Sequence, residues 1–514
     1  MPGFQKIRLF IQKYWEKWVL VPKRLIDTVF SKDAPNKYFD FELTEAQKNC
    51  FDSLKVFSSD TGSKIYILKG YAGTGKTSLM GGYIKWLQDK GLSFSLLAST
   101  GRAAKVLSEK TQVGVVTVHS HIYGYSGLDQ DLEKLSHMVS GKDKPILLNY
   151  NLKTKDPDLE RGHLYLVDES SMISDVVVEN DSFARFGSGR LLKDLFSFDP
   201  SGKFVFVGDP RQLPPVGQAF SPALSKEYIK ETYRFSVEEI ELTTIKRQAG
   251  TNDIIKASMD IRGLHETNPQ VKFASFPLKG YRDIRLYDHV KQFTDRYIET
   301  IEQNDFKYAT MICQTNFQCS QFNNTIRDSL AKPPDKPVVG DILMITQNNM
   351  LSGLVNGDFV QIKEIREKKY YCGLDFISMV VEELNFKKKY EILLVENLLF
   401  SNQVNIAQQE HRSLLIDFVY RMKEISVNPK DLLFSQYMRI DPYLNAHKAK
   451  FGYAVTCHKS QGGEWPEVFL FMNNKIHGLP KPGIYQWLYT AVTRAKNTLH
   501  LIDDWYIKKP EEVF

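Results

Sequence analysis

The octapeptide Gly70–Thr77 contains the residue types that bind phosphate groups. It reads GYAGTGKT, matches GxxxxGK[ST], and follows the apolar segment Lys64–Lys69. Glycines in such a loop let backbone N–H groups surround phosphate oxygens at the positive end of the next helix. Lys76 would contact the β- and γ-phosphates, and the Thr77 hydroxyl would bind Mg²⁺. The loop therefore predicts binding of ATP or GTP. The residues predicted to hold the nucleotide here are Gly70, Ala72, Gly73, Thr74, Gly75, Lys76, Thr77 and Ser78.

Two later segments carry polar groups suited to hydrolysis of a bound nucleotide. Leu164–Ser170 reads LYLVDES, an apolar run that ends in Asp168 and Glu169. Behind a phosphate loop, the first acid holds the Mg²⁺ shell and the second orients or deprotonates the attacking water. In GDPRQLPPVG, Gln212 offers a neutral amide that can contact a γ-phosphate and a water without adding charge. The set predicts a nucleoside triphosphatase.

The segments that must position these residues are short apolar runs alternating with helical stretches, a pattern typical of parallel βαβ layers. The predicted buried strands are Lys64–Lys69, Ser93–Ala98, Leu164–Val167 and Phe204–Val207. Each is followed at once by polar residues. Because ligands of open α/β sheets bind at the carboxyl ends of the strands, those polar residues are the candidate site.

Two segments depart from this pattern. Residues 121–160 are polar and rich in turn-forming residues, which indicates an insertion. From about residue 340 to 450 the chain has β character, with a hairpin-type turn at Val355–Asp358 followed by FVQIKEI, FISMVVEEL and KYEILLVENLLF. We expect a small antiparallel module there.

Composition limits the class of protein. The chain has 514 residues, 42% of them hydrophobic, and a net charge of +6, so it can form roughly two to four domains without requiring a polyanionic partner. Five scattered cysteines favour a reducing compartment, and we expect a cytoplasmic location. No apolar run reaches the roughly 20 residues of a membrane span. Residues 1–40 have amphipathic, basic character, which fits either a helix docked on the protein body or one that contacts a partner or a membrane surface.

Five segments in order, GYAGTGKT, VDES, GDPRQLPPVG, TCHKSQGGEW and YTAVTRAK, resemble the motifs of superfamily 1 helicases. They are most similar to the 5′-to-3′ branch (superfamily 1B) that contains RecD and Dda. The resemblance implies ATP and Mg²⁺ as cofactors and an α/β fold of two RecA-like domains with parallel sheets. It implies a first domain over 41–230 and a second over 231–514. In such relatives the 121–160 insertion is a wedge at the duplex fork, and the segment at about 345–450 is a barrel similar to the Src-homology-3 fold.

The resemblance also assigns residues around the nucleotide. Gln47, in LTEAQ, resembles the glutamine that reads the adenine edge, and Glu464 resembles an acid that contacts the nucleotide. Arg247, in TTIKRQ, and Arg494, in AVTRA, resemble the arginines that reach the γ-phosphate from the second domain. Because both lie far along the chain from Lys76, hydrolysis would require the two domains to close.

A translocating protein needs contacts with the nucleic-acid backbone that ignore base identity, which hydroxyl, amide and cationic groups supply. Positions that match the family in this role each follow an apolar strand-like run. They are Thr100, Arg102, Thr117, His119, Asn316, Thr456, His458 and Lys459. In the insertion, the segment His121–Gly124 and Tyr125 offer aromatic groups to a fork.

The sequence therefore predicts a monomeric 5′-to-3′ DNA helicase that acts on single strands and forks. The GDPRQLPPV segment lacks the aromatic residue that 3′-to-5′ members carry, which favours this polarity. A nucleic-acid-stimulated ATPase that remodels protein–DNA complexes without unwinding, and an ATP-gated binding module, remain alternatives. RNA remains open as a substrate, because single-strand backbone contacts discriminate poorly unless the 2′-OH is read.

Overall fold

The computed structural model describes 37–60, 62–128, 147–159, 161–177, 184–244, 252–267, 271–349, 351–403, 405–428 and 431–514. Most of the predicted extension at 1–40 lies outside the described residues, and so does Arg247. Residues 129–146 of the first insertion lie outside them as well.

The first half of the chain alternates strands and helices, as predicted. Its elements are α1 (Glu45–Ser59), β1 (Ile65–Gly70), α2 (Lys76–Asp89), β2 (Phe94–Ala98), α3 (Gly101–Thr111), β3 (Val115–Thr117), α4 (Val118–Ile122), β4 (Tyr123–Leu128), β5 (Leu148–Leu152), β6 (Leu164–Asp168), β7 (Ala184–Phe186), α5 (Leu191–Phe198), β8 (Lys203–Gly208), α6 (Lys226–Tyr233), β9 (Val237–Leu242) and α7 (Asp253–Thr267).

The second half adds a further set of alternating elements with a β-rich interruption. They are β10 (Phe276–Pro277), β11 (Ile284–Tyr287), α8 (Val290–Gln303), β12 (Ala309–Cys313), α9 (Asn316–Ser329), β13 (Ile342–Ile345), β14 (Phe359–Tyr371), β15 (Leu374–Glu383), β16 (Lys389–Val395), α10 (Asn397–Phe400), α11 (Gln408–Glu424), α12 (Leu432–Ile440), β17 (Ala449–Phe451), β18 (Ala454–Thr456), α13 (Cys457–Ser460), β19 (Trp465–Leu470), α14 (Gly483–Val492), β20 (Ala495–Ile502) and β21 (Ile507–Lys508).

The first domain contains a six-stranded parallel sheet in the order β3-β2-β6-β8-β1-β9. Strand β1 shows why both faces are covered: Tyr66 and Leu68 join one apolar layer, and Ile65 and Ile67 join the other. All four side chains are fully buried. Apolar residues on both faces of a strand are what a parallel sheet between two helical layers requires.

The first sheet extends beyond residue 230, where the sequence predicted the first domain to end. Strand β9 pairs in parallel with β1, from Ile65 opposite Val237 to Gly70 opposite Leu242. Residue 230 lies inside α6. The chain leaves the first sheet only after β9, because that edge strand covers the otherwise unpaired side of β1.

A second parallel sheet has the order β11-β20-β19-β12-β18. The predicted mixed α/β fold with parallel sheets is therefore confirmed. Two smaller sheets interrupt this plan. β4 and β5 of the first insertion form a three-stranded sheet with β7, and β16-β15-β14-β13-β17 form a five-stranded antiparallel sheet. Likeness of the latter to the Src-homology-3 fold, and a fork-facing role for the former, remain predictions.

The two insertions pack against each other. Helices α11 and α12, which lie between β16 and β17 in the chain, form an apolar cluster around Phe418, Phe434 and Met438. Tyr125 and Leu148 from the first insertion pack against that cluster. The segment ENLLF, predicted as part of a β run, is helical from Asn397, with Leu399 buried and Leu398 in a separate apolar cluster with Phe376 and Leu414.

Charged groups join the antiparallel sheet to the first domain. Lys105 of α3 lies 2.5 Å from Asp358 and 3.2 Å from Glu383, two carboxylates whose side chains are only 1% exposed. Beside them, a Cβ added to Gly101 would lie 2.4 Å from the Cβ of Val355, so the backbone of α3 touches the loop between β13 and β14. Burial raises the pKa of Glu383, and the Lys105 ammonium opposes that shift.

Replacing Lys105 by Met should destabilise the chain, because two buried carboxylates would lose their closest cation. We expect a loss of about 3 kcal/mol in unfolding free energy, typical of breaking a buried pair. Urea denaturation at pH 7 measures it, with exposed Lys193→Met on α5 as the matched control. Adding Glu383→Gln to Lys105→Met should recover part of the loss. Equal urea midpoints for Lys105→Met and wild type would contradict this account.

Candidate nucleotide site and adjacent surfaces

The phosphate loop connects β1 to α2, as the sequence predicts. Gly73 and Gly75 have φ angles of 81° and 82°, which residues with a side chain rarely adopt. The Nζ of Lys76 donates hydrogen bonds to the carbonyl oxygens of Gly70 at 2.5 Å and Tyr71 at 3.1 Å. The loop thus curls around the lysine ammonium, with the N-terminus of α2 directly behind it.

Gln47 lies against the phosphate loop and is 2% exposed. Its Nε2 donates to the carbonyl oxygen of Thr74 at 3.0 Å, and its Oε1 accepts from the backbone N–H of Thr44 at 3.0 Å. The second bond belongs to the capping box that begins α1. Both ends of the amide are therefore engaged by the protein, and its predicted contact with adenine stays a prediction.

The two predicted acidic residues lie at the end of β6, which pairs with β2 and β8. The backbone N–H of Glu169 donates to a carboxylate oxygen of Asp168 at 2.9 Å, and Glu169 has a left-handed φ of 50°. Burial raises the pKa of both carboxyl groups, while the Lys76 ammonium acts in the opposite direction. Two half-buried acids beside one lysine form a site that attracts a further cation.

The segment from Asp209 to Leu213, named here the Gln212 loop, follows β8. Its backbone turns back on itself, with the N–H of Gln212 donating to the carbonyl oxygen of Asp209 at 3.3 Å. The side chain of Gln212 is 4% exposed, yet its amide oxygen has no hydrogen-bond partner among the described residues. A buried unpartnered amide, a lysine within a glycine loop and paired acids together fit a nucleoside triphosphate with its metal.

Residues on and just after α14, a helix that packs on the second sheet, complete this region. The hydroxyl of Tyr489, on α14, donates to Asp209 at 2.8 Å and accepts from the N–H of Ala72 at 3.1 Å. Arg494, two residues beyond α14, is 4% exposed and donates to the carbonyl oxygens of Thr490 and Gly463. Burial raises the pKa of Glu169 and the positive charge of Arg494 opposes that rise, so the guanidinium acts on the acidic side of the site.

The resemblance places two further residues, Glu464 and Arg247, at the nucleotide. Glu464 is exposed at the surface, with a carboxylate oxygen 3.4 Å from the Nζ of Lys496. Arg247 lies outside the described residues. Sequence reasoning did not single out Tyr489 or Thr490, although both lie in the YTAVTRAK segment. A buried tyrosine hydroxyl gives no pattern of its own, so only its contacts reveal it.

Most predicted nucleic-acid contacts lie at the carboxyl ends of strands in both sheets. Thr100 follows β2, and Thr117 is the last residue of β3. In the second sheet, Thr456 is the last residue of β18, and Asn316 begins α9 just after the neighbouring strand β12. The hydroxyls of the first two already cap helices, accepting from the N–H groups of Ala103 and Ser120. These groups share one edge of each sheet, as the alternating pattern predicts.

A cleft of about 860 Å³ runs between the first domain and the antiparallel sheet. Thr117 and Ser120 line it from one side, and Asn348, Asn349 and Val355 from the other. Near it, the Nζ of Lys459 donates to the side-chain oxygen of Asn356 at 2.7 Å, while His458 is exposed. Much of the lining is apolar, and its polar groups include hydroxyls and amides, which suit contact with a nucleic-acid backbone.

Arg102 occupies a different position from that expected of a surface contact. It is 8% exposed, with its guanidinium 4.9 Å from the ring centroid of Trp465 and 5.4 Å from that of Phe359. Burial lowers its pKa to about 10. Arg102 therefore lies in the interface between the first domain and the second, because α3 begins directly against Gly463 and Trp465.

The aromatic groups at the start of the first insertion point inward. The ring of His121 packs on Tyr165 and Phe198, and Tyr123 is buried with its hydroxyl bonded to Asp194. Tyr125 contacts the apolar cluster of α11 and α12. These rings support the insertion in this structure, and a fork contact through them stays a prediction.

Two family models and several known proteins match this chain. A family model described as an AAA domain matches residues 42–273, and a UvrD-like helicase C-terminal domain matches 451–502. The RecD subunit of the RecBCD enzyme from Buchnera aphidicola subsp. Schizaphis graminum is 20% identical over 527 aligned positions, covering 97% of this chain and 80% of RecD. The ATP-dependent DNA helicase Dda of Enterobacteria phage T4 is 24% identical over 314 positions, covering 60% of this chain and 61% of Dda.

Among solved structures, Pif1 helicase from Bacteroides in complex with ADP-AlF3 and ssDNA covers 92% of this chain and 94% of its own, with 16% identity and a TM-score of 0.47. The AAA-domain match spans the first parallel sheet, and the UvrD-like helicase C-terminal match spans β18, β19 and β20 of the second.

The resemblance to the RecD- and Dda-like helicases is confirmed. The prediction of an ATP-hydrolysing enzyme of the DNA helicase class is confirmed with it. No helix among the described residues is long and apolar enough to cross a membrane.

His119, a predicted DNA contact, lies among aromatic rings that should make stability depend on pH. Its ring packs on Phe186 and Tyr123, and burial lowers its pKa from 6.5 to about 4. The folded chain thus binds this proton less well than the unfolded chain, so stability present above pH 6.5 is lost as pH falls towards 4.

By pH 5 the loss from His119 should reach about 2 kcal/mol. We expect the difference in unfolding free energy between pH 7 and pH 5 to shrink by that amount in His119→Gln. Urea denaturation of both proteins at both pH values measures it. The other buried histidines are common to both proteins and cancel. An unchanged pH dependence in the variant would show that the pKa of His119 is the same in the folded and unfolded chains.

Proposed function

We propose that this chain is an ATP-driven DNA motor that moves 5′-to-3′ along a single strand and unwinds duplex DNA at forks. The observation that carries the proposal is the division of the nucleotide site between two parallel sheets. The phosphate loop, the two acids and the Gln212 loop come from the first sheet. Tyr489 and Arg494 come from the second.

Each part of the site has a proposed role in hydrolysis. The phosphate loop and Lys76 hold the β- and γ-phosphates, and Thr77 and Asp168 hold Mg²⁺, which neutralises phosphate charge when bound. Glu169 takes a proton from the attacking water, and Gln212 orients that water and the γ-phosphate. Arg494, with Arg247, stabilises the charge that develops on the transferred group.

The division of the site gives the motor its physical basis. Glu169 and Gln212 are fixed to the first sheet, whereas Arg494 moves with the second. Hydrolysis then requires that the two sheets approach, and release of products lets them separate. Thr100, Thr117, Asn316, Thr456, His458 and Lys459 are proposed to hold the DNA backbone. They belong to both sheets, so the same motion changes the distance between the two groups of contacts.

The direction of movement and the opening of forks are two further parts of the proposal. The 5′-to-3′ direction rests on the resemblance to RecD and Dda, and on the missing aromatic residue in the GDPRQLPPV segment. The first insertion packs against α11 and α12, and its proposed role is that of the wedge that meets a duplex. The proposed substrate is therefore a single DNA strand with a fork, bound by one copy of the chain.

Forked duplexes with a single 5′ tail or a single 3′ tail test this function directly. We expect ATP-dependent unwinding of the 5′-tailed fork, and ATP turnover that rises with single-stranded DNA. Lys76→Ala should lose both activities, because the phosphate loop loses its cation. Lys85→Ala, on the exposed face of the same helix, is the matched control and should keep them. Turnover indifferent to single strands would refute the motor, and unwinding from 3′ tails alone would refute the polarity.

Arginine substitutions test the shared site. Arg494→Ala should lower the DNA-stimulated kcat by about 10³-fold, the scale of an arginine that stabilises transferring phosphate. Arg494→Lys should fail nearly as much, since an ammonium cannot reproduce the planar guanidinium. Arg247→Ala should show a loss of the same kind. Filter binding of labelled ATP should change little, which separates catalysis from binding. A kcat near that of wild type in Arg494→Ala would contradict this role.

A further inference from the structure

The Gln212 loop is held from the second sheet by three side chains. The carboxylate of Asp209 accepts from Tyr489 at 2.8 Å. The N–H of Leu213 donates to the hydroxyl of Thr490 at 2.9 Å, and its carbonyl oxygen accepts from Gln461 at 3.3 Å. These bonds lie on either side of Gln212, whose own amide oxygen has no partner among the described residues.

Tyr489 differs from the other two contacts because its hydroxyl serves two loops at once. It donates to Asp209 in the Gln212 loop and accepts from the N–H of Ala72 in the phosphate loop. The side chain is 3% exposed, and burial with the nearby Asp209 raises the pKa of Tyr489 well above 10. The phenol therefore keeps its proton and remains a donor to Asp209 across the working pH range.

The position of Tyr489 in the chain ties these loops to Arg494. Tyr489 and Thr490 lie in the last turn of α14, and the Nε of Arg494 donates to the carbonyl oxygen of Thr490 at 2.9 Å. A displacement of Arg494 relative to the first sheet must therefore strain or break the bonds made by Tyr489 and Thr490. The arginine and the glutamine on opposite sides of the site are mechanically connected.

We propose that Tyr489 is a positioning residue that couples the seating of the second sheet to the placement of Gln212. This inference rests on the proposed function. When α14 is seated, the hydroxyl fixes Asp209 against the phosphate loop, and Gln212 is held facing the nucleotide. When the second sheet moves away, the same bond is lost and Gln212 is free to turn, so hydrolysis waits for Arg494.

Tyr489→Phe removes the hydroxyl and keeps the ring. We expect kcat for DNA-stimulated ATP hydrolysis to fall about tenfold, the scale of one hydrogen bond to a charged group, with KM for ATP within about twofold of wild type. Without nucleotide, deuterium exchange of the peptide covering 209–213 should become faster. Tyr297→Phe is the matched control, because that buried hydroxyl donates to the carbonyl oxygen of Tyr453 in the core of the second domain. It should leave the exchange of 209–213 unchanged.

Asp209→Ala provides a second route that leaves Tyr489 in place, because it removes the carboxylate that accepts from the Tyr489 hydroxyl. It should speed the same exchange, and the double variant should be no worse than Asp209→Ala alone, since both changes remove the same bond. Unchanged kcat and exchange in Tyr489→Phe would overturn the inference while leaving the proposed function standing. A wild-type protein without DNA-stimulated turnover would overturn the proposed function, and the exchange of 209–213 would still decide whether Tyr489 positions the loop.

Discussion

The contacts between α14 and two loops of the first sheet are the constraint on which the nucleotide site depends. Parallel strands bring their carboxyl ends to one edge of a sheet, so the phosphate loop, the paired acids and the Gln212 loop are neighbours. That edge alone lacks a guanidinium near Glu169. Arg494 supplies it from the second sheet, and Tyr489 and Thr490 set how closely the two sheets approach. The site is complete only when both sheets are in contact.

The charges around this interface are buried and therefore sensitive to geometry. Asp168 and Glu169 have raised pKa values because burial outweighs the cations nearby. On the other side of α3, Arg102 and Lys105 face Asp358 and Glu383 of the antiparallel sheet. Separation of such groups exposes unpaired charge to a poorly solvating interior, which favours a few discrete arrangements over continuous sliding. Discrete arrangements would suit the proposed motor.

The antiparallel sheet is a third unit, besides the two parallel sheets, and it packs against the first domain. It contacts the first domain through α3 and the first insertion through α11 and α12, although it belongs to the second half of the chain. The cleft lined by Thr117, Asn348 and Val355 lies between these parts. Movement of the second sheet would therefore change the width of the cleft together with the nucleotide site. For the proposed motor, this shared dependence would link hydrolysis to the grip on a strand.

The sequence alone determined the parts of the site whose chemistry is local. The strands and the order of the loops were predictable from GYAGTGKT, VDES and GDPRQLPPVG, because each motif lies at the end of an apolar run that forms its own strand. The resemblance to RecD and Dda rests on the same motifs. The mixed fold with parallel sheets followed from the same alternation. Residue 230 as a domain boundary failed because the pairing of β9 with β1 joins residues far apart in the chain.

Only the tertiary structure decided which polar residues face the site and which face a partner domain. Arg102 matched a family position for DNA contact, yet its neighbours Phe359 and Trp465 come from the other half of the chain and bury it. Tyr489 attracted no prediction because an aromatic residue within an apolar helix is ordinary until its hydroxyl partners are known. Periodicity records whether a residue is buried, but the identity of the group across an interface depends on how separate sheets pack.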